Sequence, residues 1–397
     1  MKAEVKNHLT SISLFTGAGG LDIGFERAGF KVASVCEVNP VFCETLKINS
    51  DWIHVDGRQY FQSVDITPMD IRDVSGRDLW RSRSSVDVVI GGPPCQAFSS
   101  AGKGKSVLDE RGQLVYEYLR LIDELKPKAF VFENVRGVIT ARGSSGKPGE
   151  VIRELFERLQ DLGYSCRAQL LNAADYGAYQ RRVRCFIVGV KRGEAPLFPA
   201  STHQNVSVAQ EDIFVSPWRS LREFLELHED KDIKNYVYPT EDLGRQLRAI
   251  KDGSGLKSVG KPEPTRPGGH WGYRQGTFIA DLGLPARTVT GSASQDWIRW
   301  RGKLRRLTIN EVSLLQGFPS DWRFAGSLAD KFKQVGNAVP TLFGEVVGQL
   351  VREHILRKNS QPVKRLEFPE KFLEYIDYTI RDHNRNKSAR QIHKSFE

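Results

Sequence analysis

The first half of the chain alternates short apolar runs with amphipathic stretches, and this alternation limits the possible folds of the 397 residues more than any other feature. Strands are expected at Ser11–Phe15, Val32–Glu37, Asp87–Ile90, Ala129–Glu133 and Arg184–Val190. Helices are expected between them at Gln113–Leu125 and Val151–Leu162, where apolar residues recur at three- and four-residue spacing. Strands separated by helices predict βαβ units, so the expected class is α/β with a doubly wound, mostly parallel sheet. Gly29 and Gly163 fall where helix C-terminal caps belong.

The pattern changes at Ala195. From there to Gly283 the chain carries scattered Pro, Gly and charge with little sustained periodicity, which reads as a smaller, loop-rich domain. Regular structure returns near Leu304, and Leu342–Leu356 has the spacing of an amphipathic helix. The expected organisation is a main domain of residues 1–195 and 329–357, a second domain of 196–328, and a basic C-terminal extension of 358–397 with a helical piece around Phe368–Ile380.

Composition excludes several classes. No stretch approaches the ~20 apolar residues of a membrane span. Met1–Thr10 mixes Lys2, Glu4, Lys6 and His8 and lacks the apolar core of a signal peptide, so a cytoplasmic protein is expected. The five cysteines are widely spaced with no CxxC pair, which points to neither a disulfide framework nor a zinc site, and no metal is expected. A net charge of +10 favours a polyanionic partner, since clustered Lys and Arg gain from counterion release on nucleic acid.

Two turns carry the chemistry. The first, Thr16-Gly17-Ala18-Gly19-Gly20, joins the first strand to a helix at Leu21–Ala28, the arrangement that lets a nucleotide approach the backbone. The dinucleotide fingerprint requires glycine where this chain has Asp22, which argues against NAD. Glu37, about twenty residues on, stands where a carboxylate accepts hydrogen bonds from ribose hydroxyls. A tight structural turn followed by a surface Glu is the plainer reading of the same residues.

The second turn is Gly91-Gly92-Pro93-Pro94-Cys95, at the C-terminal edge of the third strand. Two prolines stiffen the backbone that presents the thiol, and a thiolate is intrinsically very nucleophilic. A small buried apolar cysteine is the alternative. The polar loop Gln96–Gly112 has glycine hinges and basic groups suited to closing over a polyanion, or to a plain flexible loop. Glu133 ends the next strand at the same sheet edge. Arg182 and Arg184, in Gln180-Arg181-Arg182-Val183-Arg184, share a face by strand alternation.

In order along the chain, these pieces resemble the DNA (cytosine-5) methyltransferase family. The resemblance runs through Leu14–Gly20, Glu37, Asp70–Asp73, the Pro-Pro-Cys95-Gln run, Glu133-Asn134-Val135 and Gln180–Arg184. It resumes at Arg287–Thr290, Arg306–Thr308, Leu315–Pro319 and Gln334–Pro340. It implies S-adenosylmethionine as cofactor, held by Phe15, Thr16, Gly17, Gly19 and Gly20, with Glu37 on its ribose, Asp70 and Ile71 at its adenine, and Asn337 and Val339 completing the site. Asp65-Ile66 is a competing alignment for the adenine contact. The resemblance further implies a catalytic set of Cys95, Glu133, Arg182 and Arg184 acting on a cytosine flipped out of double-stranded DNA. A monomer paired in function with a restriction endonuclease is the expected setting. A transfer RNA methyltransferase of the same fold and a catalytically silent DNA-binding homologue are the alternatives.

Overall fold

The computed structural model describes residues 8–82, 84–94, 113–143, 145–205, 215–256, 265–266, 270–271, 277–357 and 361–381. Along the chain these form β1 (Leu9–Leu14), α1 (Gly20–Arg27), β2 (Phe30–Cys36), α2 (Pro40–Ser50), α3 (Gly76–Leu79), β3 (Val88–Gly91), α4 (Leu114–Leu125), β4 (Ala129–Val135), α5 (Glu150–Asp161), β5 (Ser165–Asn172) and β6 (Val183–Val190). The short strands β7 (His203–Gln204) and β8 (Ser216–Pro217) follow, then α6 (Leu221–His228), α7 (Glu241–Arg248), β9 (Ser254–Gly255), β10 (Thr265–Arg266), β11 (His270–Trp271), β12 (Phe278–Ile279), β13 (Trp297–Trp300) and β14 (Lys303–Arg306). Then come α8 (Ile309–Leu315), α9 (Leu328–Asn337) and α10 (Thr341–Leu356), and residues 370–381 are helical, where a helical piece is expected.

Two compact units make up the chain. One holds residues up to Asp70 together with Leu171–Val183 and Phe198–Arg352. In it β1 pairs with β2 in parallel, and β14-β13-β12-β9 form a separate four-stranded sheet. Asn39 starts α2 by accepting from the Val41 amide at 2.9 Å, with Pro40 in the first turn where its missing N–H costs nothing. Capping boxes start α8 (Thr308 with Glu311) and α9 (Ser327 with Asp330).

The second unit holds Ile71–Leu170, Arg184–Leu197 and the chain from Glu353. There β3 pairs with β4 in parallel and β4 with β6 in antiparallel. Val88, Val89, Ile90, Phe130, Val131, Phe132, Phe186, Ile187 and Val188 are all fully buried. Such continuous apolar runs belong to strands covered on both faces. Residues 361–381 are packed rather than free. Phe368 meets Phe156 of α5 edge-on, Phe372 and Ile376 are buried, and Arg365 pairs with Asp161 at 2.8 Å.

The structure departs from the sequence expectations at several points, three of which have a clear local cause. β1 stops at Leu14 because Phe15 takes a left-handed φ of 58° and turns the chain into the glycine loop. β4 runs two residues past Glu133, since Asn134 and Val135 still pair with Cys185 and Arg184. The loop-rich stretch contains α6 and α7, each one narrow apolar stripe on a charged helix, and their starts at Ser220 and Thr240 accept from the third-residue amide as N-caps do.

Candidate active site

In the first unit, Gly17 donates its N–H to Glu37 Oε2 and Asn39 donates to Oε1, both at 2.8 Å. Burial pushes the Glu37 carboxyl upward while these N–H groups hold it down. Each oxygen keeps acceptor capacity after these bonds. A Cβ added to Gly17 would find nothing nearer than the Phe15 carbonyl at 4.0 Å, so the loop is open at that point. An open backbone cradle beside a buried carboxylate fits the ribose of S-adenosylmethionine. Met69 donates to the Glu37 carbonyl at 2.8 Å, which brings the neighbouring Asp70 to the Glu37 strand end. Asp65 is exposed and accepts from Thr67.

The Gln180–Arg182 segment builds a buried polar junction in the same unit. Arg182 is 1% exposed, and its guanidinium donates to the carbonyls of Val289, Gly336 and Ala338 at 2.8–2.9 Å. Gln180 donates to Leu315 O and Gln316 Oε1, and Gln316 donates to Val335 O and Ala338 O. Thr288 reaches back to the Arg181 carbonyl at 2.7 Å. Four segments distant in sequence are thereby tied together, and the C-terminal end of α9, which carries Asn337, is fixed on both sides. Val339 is brought to the glycine loop: a Cβ on Gly20 would lie 2.3 Å from its carbonyl oxygen.

In the second unit, the register of β3 on β4 sets Gly91 opposite Phe132, which places Gly92 beside Glu133. A Cβ on Gly92 would lie 2.6 Å from Glu133 Oε2, so only glycine leaves room for that carboxyl. Asn134 donates to the Pro93 carbonyl at 3.2 Å and clamps the stiff turn. Arg184 Nε meets Glu133 Oε1 at 3.0 Å. The antiparallel register explains the pair: Arg184 opposes Val135, so Glu133 is its diagonal neighbour on the same face. Cys95 and the loop Gln96–Gly112 lie outside the described residues.

The geometry thus brings Glu133 and Arg184 together at the end of the Pro-Pro turn, and gathers Gly17, Gly20, Glu37 and Val339 around the first loop. Arg182 and Arg184 engage different groups. Sequence reasoning missed Asn134, Gln180 and Gln316 as organisers. Their signal was present as polar residues inside otherwise apolar blocks, but only strand register and burial show what each one holds.

Comparison with known proteins bears on these arrangements. The family model for C-5 cytosine-specific DNA methylases matches residues 9–353. Type II methyltransferase M1.HphI of Haemophilus parahaemolyticus is 34% identical over 358 residues, covering 89% of this chain and 88% of the relative. Type II methyltransferase M.FnuDI of Fusobacterium nucleatum is 30% identical over 387 residues, with coverage of 88% and 96%. Among solved structures, DNMT2 of Spodoptera frugiperda superposes with a TM-score of 0.59 at 16% identity, covering 87% of this chain and 99% of its own. That likeness carries the fold, the expected α/β methyltransferase class. The chain belongs to the C-5 cytosine-specific DNA methylase family.

Proposed function

We propose that this chain methylates carbon 5 of one cytosine within a specific double-stranded DNA sequence, with Cys95 as the nucleophile and Glu133 and Arg184 activating the base. Enzymes of this family take the methyl group from S-adenosylmethionine. The observation that carries the reading is the Glu133–Arg184 pair, 3.0 Å apart and held against Gly92 at the turn that leads into Cys95.

The thiolate of Cys95 adds to carbon 6 of the flipped base. Glu133 shares a proton with N3, which takes up the electron density that the addition delivers to the ring. Arg184 fixes the Glu133 carboxyl and offers a guanidinium edge to the base carbonyl oxygen. Carbon 5 would then take the methyl group as its bond to the donor sulfur breaks and leaves a neutral thioether; a base removes the carbon 5 proton, and loss of the thiolate restores the aromatic ring. Arg182 is the positioning residue of the set, acting through the C-terminal end of α9.

The cofactor set is Phe15, Thr16, Gly17, Gly19, Gly20, Glu37, Asp70, Ile71, Asn337 and Val339. The Met69 contact to Glu37 supports Asp70 over Asp65 for the adenine. Residues 1–195 with 329–357 serve catalysis, 196–328 read the DNA sequence, and 361–381 brace α5. The enzyme acts as a monomer in the cytoplasm, where its DNA lies. The Type II names of its relatives support a role beside a restriction endonuclease.

Bisulfite sequencing of plasmid DNA from cells expressing the chain tests this reading. Protected cytosines are expected at a single position of one recurring sequence. Plasmid with no protected cytosine contradicts it.

A further inference from the structure

The glycine loop is backed by a second carboxyl group that the cofactor set leaves unused. Asp22 stands in the first turn of α1 and is 1% exposed. Among the described residues, neither of its oxygens has a hydrogen bond of good geometry, although the Ser13 hydroxyl and its own N–H lie close enough to favour the ionised form somewhat. Glu37, on the other flank of the same loop, has both oxygens occupied by backbone N–H groups. The groups that act on Asp22 come from every neighbouring segment: the Ser13 hydroxyl at the end of β1, its own N–H on α1, and the Glu37 carboxyl after β2. None of these is basic. Ser13 is itself engaged by Thr16 of the loop at 3.1 Å, and Glu26, one turn along α1, is a further, half-buried carboxyl that feels Asp22.

A buried carboxylate without a counter-charge is costly, and a chain that keeps one does so at the expense of stability. A cation nearby would offset that cost. The bound cofactor supplies one, because S-adenosylmethionine carries a net positive charge through its sulfonium, while the thioether left after transfer is neutral. Both Asp22 oxygens are covered by protein, so no ligand touches them directly. Their influence is a field through a low-dielectric wall, where charges interact more strongly than in water.

We propose that Asp22 is a specificity residue behind the glycine loop, ionising as the cationic methyl donor seats and thereby favouring the donor over its neutral product. The proposal rests on the reading that the loop holds the cofactor. The proton lost from Asp22 goes to the buffer. Burial and the Glu37 charge hold the free carboxyl at about 7, so near neutral pH it is poised to respond.

Titration calorimetry at pH 7 in two buffers of different ionisation enthalpy, with S-adenosylmethionine and with S-adenosylhomocysteine, tests this. The wild-type chain should release about half a proton more than Asp22→Asn on binding the donor. Asp22→Asn should bind the donor about tenfold more weakly and the product within about twofold of wild type. Equal weakening of both ligands, or identical proton release by wild type and variant, overturns the proposal. Glu37→Ala separates the two levels: unchanged donor affinity there sinks the loop as the cofactor site, and a large loss there with no effect of Asp22→Asn sinks only the role of Asp22. Should Asp22→Asn fold poorly, wild-type donor affinity relative to product affinity, followed between pH 6 and 8, decides the same question: a ratio that rises with pH supports the proposal, and a constant ratio overturns it.

Discussion

Arg182 and Arg184 stand two residues apart and are put to opposite uses. Arg182 is buried, and its two terminal nitrogens donate to the backbone carbonyls of Val289, Gly336 and Ala338. Arg184 keeps some exposure and forms an ion pair with Glu133, a group that itself has room beside Gly92. The same residue type at the same spacing therefore builds a framework in one region and a reactive edge in the other. Burial decides which: a guanidinium sealed from water must satisfy fixed acceptors, whereas one at a partly open edge can exchange partners when a substrate arrives.

The sharpest way to break the contrast is Arg182→Ala. Leaving the Val289 and Gly336 carbonyls without this donor, and Ala338 with Gln316 alone, should cost about 3–5 kcal/mol in chemical denaturation. Arg182→Lys should recover only part of this, because one ammonium cannot span all three. A loss below about 1 kcal/mol would mean that the junction is not structural. Arg184→Ala should do the reverse. Stability is expected to fall by less than in Arg182→Ala, about 1–3 kcal/mol for the Glu133 carboxyl left without this guanidinium, while kcat for methyl transfer falls by about 100-fold or more.

Gly92→Ala sharpens the picture from the other side. The added methyl has nowhere to go unless the Glu133 carboxyl moves, so kcat should fall by about tenfold or more at nearly unchanged cofactor affinity. Equal kcat values for the variant and wild type would show that the Glu133 position has slack. The smallest effect is expected from Asp22→Asn in the ligand-free protein. The folded-state value near 7 lies above that of an unfolded aspartate, so burial disfavours the ionised form and its cost grows as pH rises from about 4 to 7. The variant should therefore match wild-type Tm at pH 4 and exceed it by a few degrees at pH 8. A pH-independent difference would contradict the assignment.

The two regions also differ in how much of them could be read from the sequence. The glycine turn, Glu37, the Pro-Pro run and Glu133 were legible because each sits at the end of a strongly apolar strand, where loop chemistry stands out. The parallel order of those strands followed from the helices between them. Arg182 was not legible as framework, because its three acceptors lie more than 100 residues away and nothing local marks them. β5 was missed since Ser165-Cys166-Arg167-Ala168-Gln169 shows no clean alternation, its inward positions being small or sulfur-bearing. Gly92 was visible as glycine, yet its reason, a carboxyl 2.6 Å from where a Cβ would stand, exists only after β3 and β4 pair.

The proposed mechanism turns on Cys95, which follows the clamped Pro-Pro turn, as the nucleophile. Its most direct test is transfer of tritiated methyl groups from S-adenosylmethionine to double-stranded DNA by wild type and Cys95→Ala, with cofactor affinity measured on both. Cys95→Ala should lose more than about a thousandfold in transfer with affinity within about twofold. Transfer by Cys95→Ala within about tenfold of wild type would contradict it.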